Sequence, residues 1–168
     1  MVLGSGKVSD VDNLKLRVLD ALTDDANRAR KQIANELDIS ESYLSKLIKE
    51  LVDEDKLINR FTISINHRKL GYGGNFFSLI KISDQHAQAF KKLAEQLVAM
   101  PEAVEVYTVY GDDDFYVRWI CRDGDELMTK LNTILADKEI VTVRTFALGQ
   151  EYKRTSGPSL SEKKDDPH

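Results

Sequence analysis

The sequence has a single cysteine, Cys121, and it lacks the segments that direct a chain out of the cell or into a membrane. One cysteine cannot form a disulfide within the chain, which fits a reducing, cytoplasmic setting. No apolar run approaches the roughly 20 residues that a membrane helix needs. The first ten residues contain no apolar segment of the kind found in secretory signals. We therefore expect a cytoplasmic protein with no membrane association.

Motifs for catalysis and for metal or cofactor binding are also missing. The three histidines, His67, His86 and His168, do not have the spacing of metal ligands. The sequence has no nucleophile–base signature, no phosphate-binding glycine-rich loop and no cysteine cluster. We expect no metal and no cofactor, and an enzyme ranks third among the functional hypotheses.

The sequence also has no excess of positive charge; its net charge is −4. Residues 1–70 carry 12 basic and 12 acidic side chains, whereas residues 71–168 carry 12 and 16, so the acidic excess lies wholly in the second half. Docking to nucleic acid depends on the charge of the local face as well as on the net charge. The acidity therefore weakens the case for a nucleic-acid partner without excluding one.

The first 66 residues show a helical pattern with a tight turn. A first helix, opened by Asp10 or Asp12, has an apolar stripe, and a short second helix spans roughly 30–37. Residues 38–40 form the turn, and Ser40 is a suitable N-cap for a third helix. The predicted buried positions are Val11, Leu14, Val18 and Leu22, then Ile33, Ala34 and Leu37, then Leu44, Leu47, Ile48 and Leu51.

The order of helix, turn, helix and ribbon predicts a DNA-reading unit. Residues 61–65 alternate with period two, as a half-buried ribbon strand does. A turn that holds one helix across another lets the second helix lie in the major groove. For any one lysine a solvated face is the simpler interpretation, but the set as a whole favours DNA contact through hydroxyls and phosphate-neutralising cations. The candidate DNA-binding residues are Arg28, Arg30, Lys31, Ser42, Tyr43, Ser45, Lys46, Lys49 and Arg60.

Three glycines in four positions, within residues 67–74, indicate a hinge between two domains. After them the order of predicted elements is β-α-β-β-α-β, that of a ferredoxin-like sheet with both helices on one face. Beyond Lys153 the chain is polar, and we expect disorder there. The strand faces are Phe76–Ile82, then Val104, Val106, Thr108 and Tyr110, then Phe115, Val117, Trp119 and Cys121, then Val141, Val143, Thr145 and Ala147. The helix stripes are Ala87, Phe90, Ala94 and Leu97, with Asp84 as cap, and Leu127, Leu131, Ile134 and Leu135.

The opposite face of this sheet remains partly apolar, with Val109, Ile120, Phe146 and Leu148 among polar side chains. Two helices can cover only one face of the sheet. An uncovered apolar face needs another surface, and a second copy of the chain is the simplest supplier. The pattern therefore predicts a homodimer.

A loop of glycine and three aspartates, residues 111–114, joins two strands. Its carboxylates could ligate a hard cation, but consecutive turn residues rarely all point inward, so a solvated turn is the simpler interpretation. A third alternative is a ligand loop that binds the α-amino group of a small polar molecule.

The arrangement resembles the Lrp/AsnC (feast/famine) family of transcription regulators over roughly residues 10–153. The resemblance rests on VDNLKLRVLDALTDDANRARKQIANELDIS, on LSKLIKEL, on Lys69-Leu70-Gly71-Tyr72, and on Val104-Glu105-Val106-Tyr107 leading to Tyr110-Gly111-Asp112-Asp113-Asp114-Phe115. It implies an α+β chain with an N-terminal winged helix-turn-helix and a C-terminal ferredoxin-like βαββαβ domain. The expected divisions are a flexible start, 1–9, a DNA-binding domain, 10–66, the hinge, 67–74, an effector-binding and dimerisation domain, 75–153, and a disordered tail, 154–168.

The resemblance also implies a partner and a ligand. Members of this family pair through the sheet, often assemble into octamers, and bind amino acids or related metabolites between subunits beside a Gly-x-x-Asp loop. The effector-loop candidates are Tyr110, Gly111, Asp112, Asp113 and Asp114. Asp113 stands where an aromatic or polar residue is common, which suggests a cationic effector.

Two hypotheses for function follow. The first is a sequence-specific transcription regulator that binds a pseudo-palindromic DNA operator as a dimer and responds to a small metabolite such as an amino acid. The second is a metabolite-sensing oligomer whose helical domain contacts protein, which the acidic residues Asp53, Glu54 and Asp55 favour.

Overall fold

The computed structural model describes residues 12–83, 87–136, 140–155 and 157–161, which fall into two units. The first, the helical unit, comprises the residues up to Ile63 together with those from Lys153 onward, and the second, the sheet unit, is Ser64–Tyr152. Predictions that fall on residues 1–11, on Asp84 and on the side chain of Val141 lie outside the described residues. Within the described ranges, no helix combines the length and apolarity needed to span a bilayer.

The helical unit contains the three predicted helices. They are α1 (Asn13–Asp24), α2 (Arg30–Glu36) and α3 (Glu41–Asp53). The side chain of Asp12 accepts a hydrogen bond from the Leu14 N–H at 3.1 Å, and the Ser40 hydroxyl accepts one from the Tyr43 N–H at 3.2 Å. These two caps fix where α1 and α3 begin, because they satisfy N–H groups that have no partner within the helix.

One apolar core joins the three helices. The stripes predicted for the second and third helices are confirmed, and Val18 and Leu22 of the first stripe are buried as predicted. Ion pairs also join α1 to the end of α3: Lys15 of α1 donates to Asp55 at 2.6 Å and lies 3.1 Å from Glu50. The buried residues are Val18, Ala21 and Leu22, then Ile33, Ala34 and Leu37, then Leu44, Leu47, Ile48 and Leu51.

The ribbon strand predicted at residues 61–65 is wrong for this structure. These residues are extended but form no strand, and the Ile63 side chain is 79% exposed. A strand needs a neighbour to receive its backbone hydrogen bonds, and no described segment pairs with this one. The alternation of apolar and polar residues therefore indicates an extended segment here, but it does not show that the segment pairs with another strand.

The residues of the predicted hinge, 67–74, lie within the sheet unit. His67–Leu70 forms a short 3-10 helix, and Gly71 follows it with φ +88°, in the left-handed region that favours glycine. The division between the units falls a few residues earlier, after Ile63. Bending of the chain at 67–74 stays a prediction.

The sheet unit has the predicted β-α-β-β-α-β order. Its elements are β1 (Gly74–Ile82), α4 (Ala87–Val98), β2 (Ala103–Thr108), β3 (Phe115–Cys121), α5 (Gly124–Leu135) and β4 (Ile140–Ala147). The strands lie in the order β2-β3-β1-β4, and every neighbouring pair is antiparallel. This is the ferredoxin-like topology.

The core of the sheet unit lies on the face that α4 and α5 cover. The predicted inward face of β3, including Phe115, Val117 and Trp119, is confirmed. The Trp119 indole N–H donates to the Ser78 hydroxyl at 3.0 Å, and that hydroxyl is 2.7 Å from the Thr145 hydroxyl. These bonds satisfy polar groups that would be costly to bury alone.

Several positions of the predicted stripes are exposed. They include Ala87 on α4, Leu135 on α5, Thr108 at the end of β2 and Tyr110 beyond it. In α4, Leu97 is buried as predicted, together with Ala89 and Leu93. Both helices carry apolar side chains over more than one stripe, so a small rotation about the axis exchanges them. On β2, an irregular register between Ala103 and Glu105 leaves Val104 exposed, although Val106 packs on the core as predicted.

The described part of the tail differs from the prediction of disorder over 154–168, while residues 156 and 162–168 lie outside the described residues. Residues 159–161 hydrogen-bond to the side chain of Asp20 on α1. The low apolar content of this segment indicated disorder, but a carboxylate that accepts backbone N–H groups can hold a polar segment.

Candidate nucleic-acid interface and effector loop

The exposed face of α3 gathers the five candidate side chains that were predicted on that helix. Because Leu44, Leu47, Ile48 and Leu51 face the core, the positions between them point outward. All five are exposed: Ser42, Tyr43, Ser45, Lys46 and Lys49. The structure therefore brings together a rigid helical face with two lysines, two hydroxyls and a phenol.

These five side chains differ in how far local hydrogen bonds and ion pairs already engage them. The Ser45 hydroxyl donates to the Glu41 carbonyl at 2.9 Å, and the Ser42 hydroxyl lies 3.1 Å from that of Ser40. Lys46 is 3.6 Å from Glu50, an exposed i, i+4 pair of small stabilising effect. The lysines and Tyr43 are therefore the groups that can most easily turn to a ligand.

The acidic end of α3 is partly neutralised within the helical unit. Lys15 binds the carboxylates of Asp55 and Glu50, and these hydrogen bonds raise the pKa of Lys15. The negative charge of Asp55 is thus paired with Lys15 of α1. The acidic end of α3 therefore gives less support to a helical unit that contacts protein.

The basic candidates outside α3 are less uniform. The Arg28 side chain is only 25% exposed and donates to Glu36 at 2.9 Å, and its Nε and Nη2 are buried with no partner among the described residues. Lys31 and Arg60 are exposed. Arg30 is half-buried, and its Nη1 has no partner among the described residues. Arg28 is therefore the candidate whose charge is already paired.

The loop between β2 and β3 uses two of its three carboxylates internally. Asp114 accepts from the Ile82 N–H at 2.9 Å, and its own N–H donates to the Ile80 carbonyl at 2.9 Å, so it extends the pairing at the end of β1. Asp113 forms an ion pair with Arg144. That pairing removes the charge argument for a cationic effector. Tyr110, Gly111 and Asp112 remain exposed at the loop.

Arg144 is a loop contact that the sequence analysis did not find. Asp113 and Arg144 are 31 residues apart, and only the register of β4 against β1 brings them together. No local spacing signals such a pair.

The helix-free face of the sheet carries a row of aromatic rings. Tyr107 and Tyr116 have ring centroids 6.1 Å apart, Tyr116 and Phe77 5.7 Å, and Phe77 and Phe146 4.8 Å. Tyr107 and Phe146 remain exposed, and burial, the largest cause, raises the pKa of Tyr116. The apolar character predicted for this face is present in the single chain.

A buried cation lies beside the aromatic row. Arg118 is 9% exposed, donates to Glu105 at 2.8 Å and reaches the Asn75 side chain at 3.3 Å. The charge is paired across the strands, as the two residues stand opposite each other in β2 and β3. The helix-free face therefore combines exposed apolar area with a charge already compensated inside the chain.

Comparison with known proteins identifies both units. Residues 11–58 match the winged helix-turn-helix DNA-binding family, and residues 75–158 match the Lrp/AsnC ligand binding domain. The second match includes the 111–114 loop. The first match ends before residues 61–65, so it covers the three helices and not the predicted ribbon.

Related proteins are regulators of the same kind. The HTH-type transcriptional regulator LrpA of Pyrococcus horikoshii is 33% identical over 70% of this chain and 80% of its own. The HTH-type transcriptional regulator FL11 of Pyrococcus furiosus is 28% identical over 87% of this chain and 94% of its own. The crystal structure of the regulator NMB0573 of Neisseria meningitidis, in complex with L-Met, shares the fold, with a TM-score of 0.80 at 15% identity over 87% and 94% of the two chains.

These findings favour DNA binding over a helical unit that contacts protein. Because its two units match a helix-turn-helix and the Lrp/AsnC ligand-binding domain, and its relatives are transcriptional regulators, the chain belongs to the Lrp/AsnC family of DNA-binding transcription regulators.

Proposed function

We propose that this regulator acts as a homodimer that places two copies of α3 in successive major grooves and that changes its DNA binding when an amino acid or related metabolite binds the sheet unit. The exposed face of α3 carries the proposal, because five groups suited to DNA project from one capped helix whose other side is fixed in the core. Lys31, Arg30 and Arg60 are proposed as flanking phosphate contacts. Arg28 joins them only when its pair with Glu36 opens. Absence of enzymatic activity stays a prediction.

A gel shift against a pool of random duplexes at low salt tests the DNA contact. Retention of duplex that weakens steeply as salt rises is the expected result, since phosphate contacts release counterions. Failure to retain any duplex would support instead the second hypothesis, a helical unit that contacts protein.

Lys46→Ala is expected to reduce the salt dependence of DNA binding by about one unit in the slope of log K against log salt. The side chain is 71% exposed and its contact with Glu50 is long, so the ammonium can reach a phosphate. Lys91→Ala is a matched control, because Lys91 is 78% exposed and has the same i, i+4 relation to Glu95 at 3.8 Å on α4. An equal slope for the two variants, measured by salt titration, would remove Lys46 from the interface.

We propose that the helix-free sheet face is the dimer surface. The aromatic row of Tyr107, Tyr116, Phe77 and Phe146 supplies apolar area that a second copy can cover, while the paired Arg118 needs no further partner. Assembly of dimers into octamers is a further prediction, which sedimentation of the native protein distinguishes from a dimer.

The effector is proposed to bind beside Tyr110, Gly111 and Asp112. With Asp113 held by Arg144 and Asp114 by β1, Asp112 is the loop carboxylate with no hydrogen bond or ion pair to the described residues. It is therefore the acceptor for the α-ammonium group of an amino acid. Binding changes the regulator only if it favours one arrangement of subunits over another.

Asp112→Asn is expected to weaken amino-acid binding about tenfold, because it removes a charge-assisted hydrogen bond. Calorimetric titration with L-methionine, lysine and arginine measures this loss and the side-chain preference. Asp125→Asn is the control, since Asp125 is an exposed aspartate in the first turn of α5. Equal losses in both variants would show that Asp112 does not contact the amino acid, and a strong preference for lysine or arginine would contradict the neutralisation of Asp113.

A further inference from the structure

One carboxylate holds the segment near the carboxyl terminus. Asp20 Oδ1 accepts from the Leu160 N–H at 2.8 Å, and Oδ2 accepts from the Ser161 N–H at 2.8 Å and from the Ser159 hydroxyl at 3.3 Å. The Ser161 hydroxyl also donates to Oδ2. Four donors from three consecutive residues thus converge on one side chain of α1.

The contact suits a charged acceptor. Burial acts to raise the pKa of Asp20, but the hydrogen bonds from Ser161, Leu160 and Ser159 outweigh it, and the pKa is lowered. The carboxylate form of Asp20 is therefore the one that binds the segment.

The segment lies beyond the residues that match the ligand-binding domain of the family. The match to the ligand-binding domain ends at residue 158, and the three residues that bind Asp20 follow it directly. The match to FL11 already covers 94% of that relative. The residues that bind Asp20 therefore lie outside the stretch that the family model matches.

The chain passes between the two units twice, and the contact with Asp20 lies on the returning segment. After Ile63 the chain leaves the helical unit, and at Lys153 it returns to it. We propose that residues 157–161 form a strap that fastens the returning chain to α1 within the helical unit, so that the second of the two chain connections between the units is anchored at α1.

A few hydrogen bonds can hold the strap on α1 because the strap is covalently attached to the rest of the chain. Hydrogen bonds at a partly exposed site contribute little each, and Leu160 retains 37% of its exposure. The chain that joins β4 to the strap holds the strap near Asp20 at an effective concentration of about a millimolar or more. This tether favours docking of the strap, and the strap can be released without unfolding either unit.

Two truncations and one substitution test the strap. A chain that ends at Ser161 keeps the three binding residues, and a chain that ends at Thr155 removes them. Asp20→Ala removes the acceptor, and Asp24→Ala is the control, because Asp24 is an exposed aspartate on the same helix. Hydrogen exchange of the slow amides of α1 and α3 reports the stability of the helical unit.

We expect exchange to be roughly fivefold faster in the chain ending at Thr155 than in the chain ending at Ser161, and similarly faster with Asp20→Ala. Combining truncation with Asp20→Ala should add nothing further, because both remove the same contact. Asp24→Ala should leave the effect of truncation unchanged. Ser161→Ala, which keeps the N–H donor, should give a smaller change in the same direction. Additive effects of truncation and Asp20→Ala, or no effect of either, would overturn the strap.

The consequence for DNA rests on the proposed function. With one connection released, the two copies of α3 should tolerate a wider range of half-site spacings, so the affinity ratio between the best duplex and one lengthened by about half a turn should fall severalfold. The exchange measurements use no DNA, so failure of the proposed function would not be confused with failure of the strap. An unchanged ratio in a chain whose strap has been shown to dock would overturn the role in spacing.

Discussion

Replacement of Phe77 by lysine is expected to convert the proposed dimer to a monomer and to weaken DNA binding about a hundredfold. Phe77 lies at the centre of the aromatic row, 4.8 Å from the ring of Phe146 and 5.7 Å from that of Tyr116. An ammonium group there cannot be buried against a second apolar face without an unpaired charge. Loss of the dimer removes the second copy of α3, and with it the gain from binding two half-sites at once.

Sedimentation and gel shift measure the two effects on the same preparation. Met128→Lys is the control, since Met128 is an exposed apolar residue on α5, in the helical layer and away from the aromatic row. It should leave both mass and affinity unchanged. A Phe77→Lys protein that remains folded and dimeric would show that the subunits pair through another surface.

Leu44→Ala is expected to lower the free energy of unfolding of the helical unit by about 3 kcal/mol and to abolish DNA binding near physiological temperature. Leu44 is completely buried where α3 meets the other two helices. A unit this small has a correspondingly small margin of stability. The sheet unit has its own core, so it should remain folded and continue to bind an amino acid.

Thermal unfolding followed by circular dichroism, with hydrogen exchange to assign each transition, measures this loss. Val52→Ala is the control within the same helix, because Val52 is exposed and its truncation should cost less than about 1 kcal/mol. Equal destabilisation by the two substitutions would contradict the burial that orients α3.

The sequence alone predicts the parts of this fold that depend on near neighbours. The cap at Ser40, the buried face of α3 and the inward face of β3 follow from spacings of a few residues, and the structure confirms each. The candidate face of α3 follows too, because burial of four positions determines where the others point.

The parts that could not be predicted depend on distant partners. Residues 61–65 have the alternation of a strand but no partner to pair with. The pairs Asp113–Arg144 and Asp20–Ser161 join residues far apart in the chain, so no local pattern reveals them. The register irregularity in β2 likewise depends on its pairing with β3.

The most direct measurement is selection of bound duplexes from a random library by the native protein, followed by sequencing. Two copies of α3, related by the symmetry of a paired sheet face, predict enrichment of two inverted half-sites whose centres lie about one helical turn, roughly 34 Å, apart. Enrichment of a single unpaired motif, or of no motif at all, would contradict the proposal that this protein reads DNA through two copies of α3.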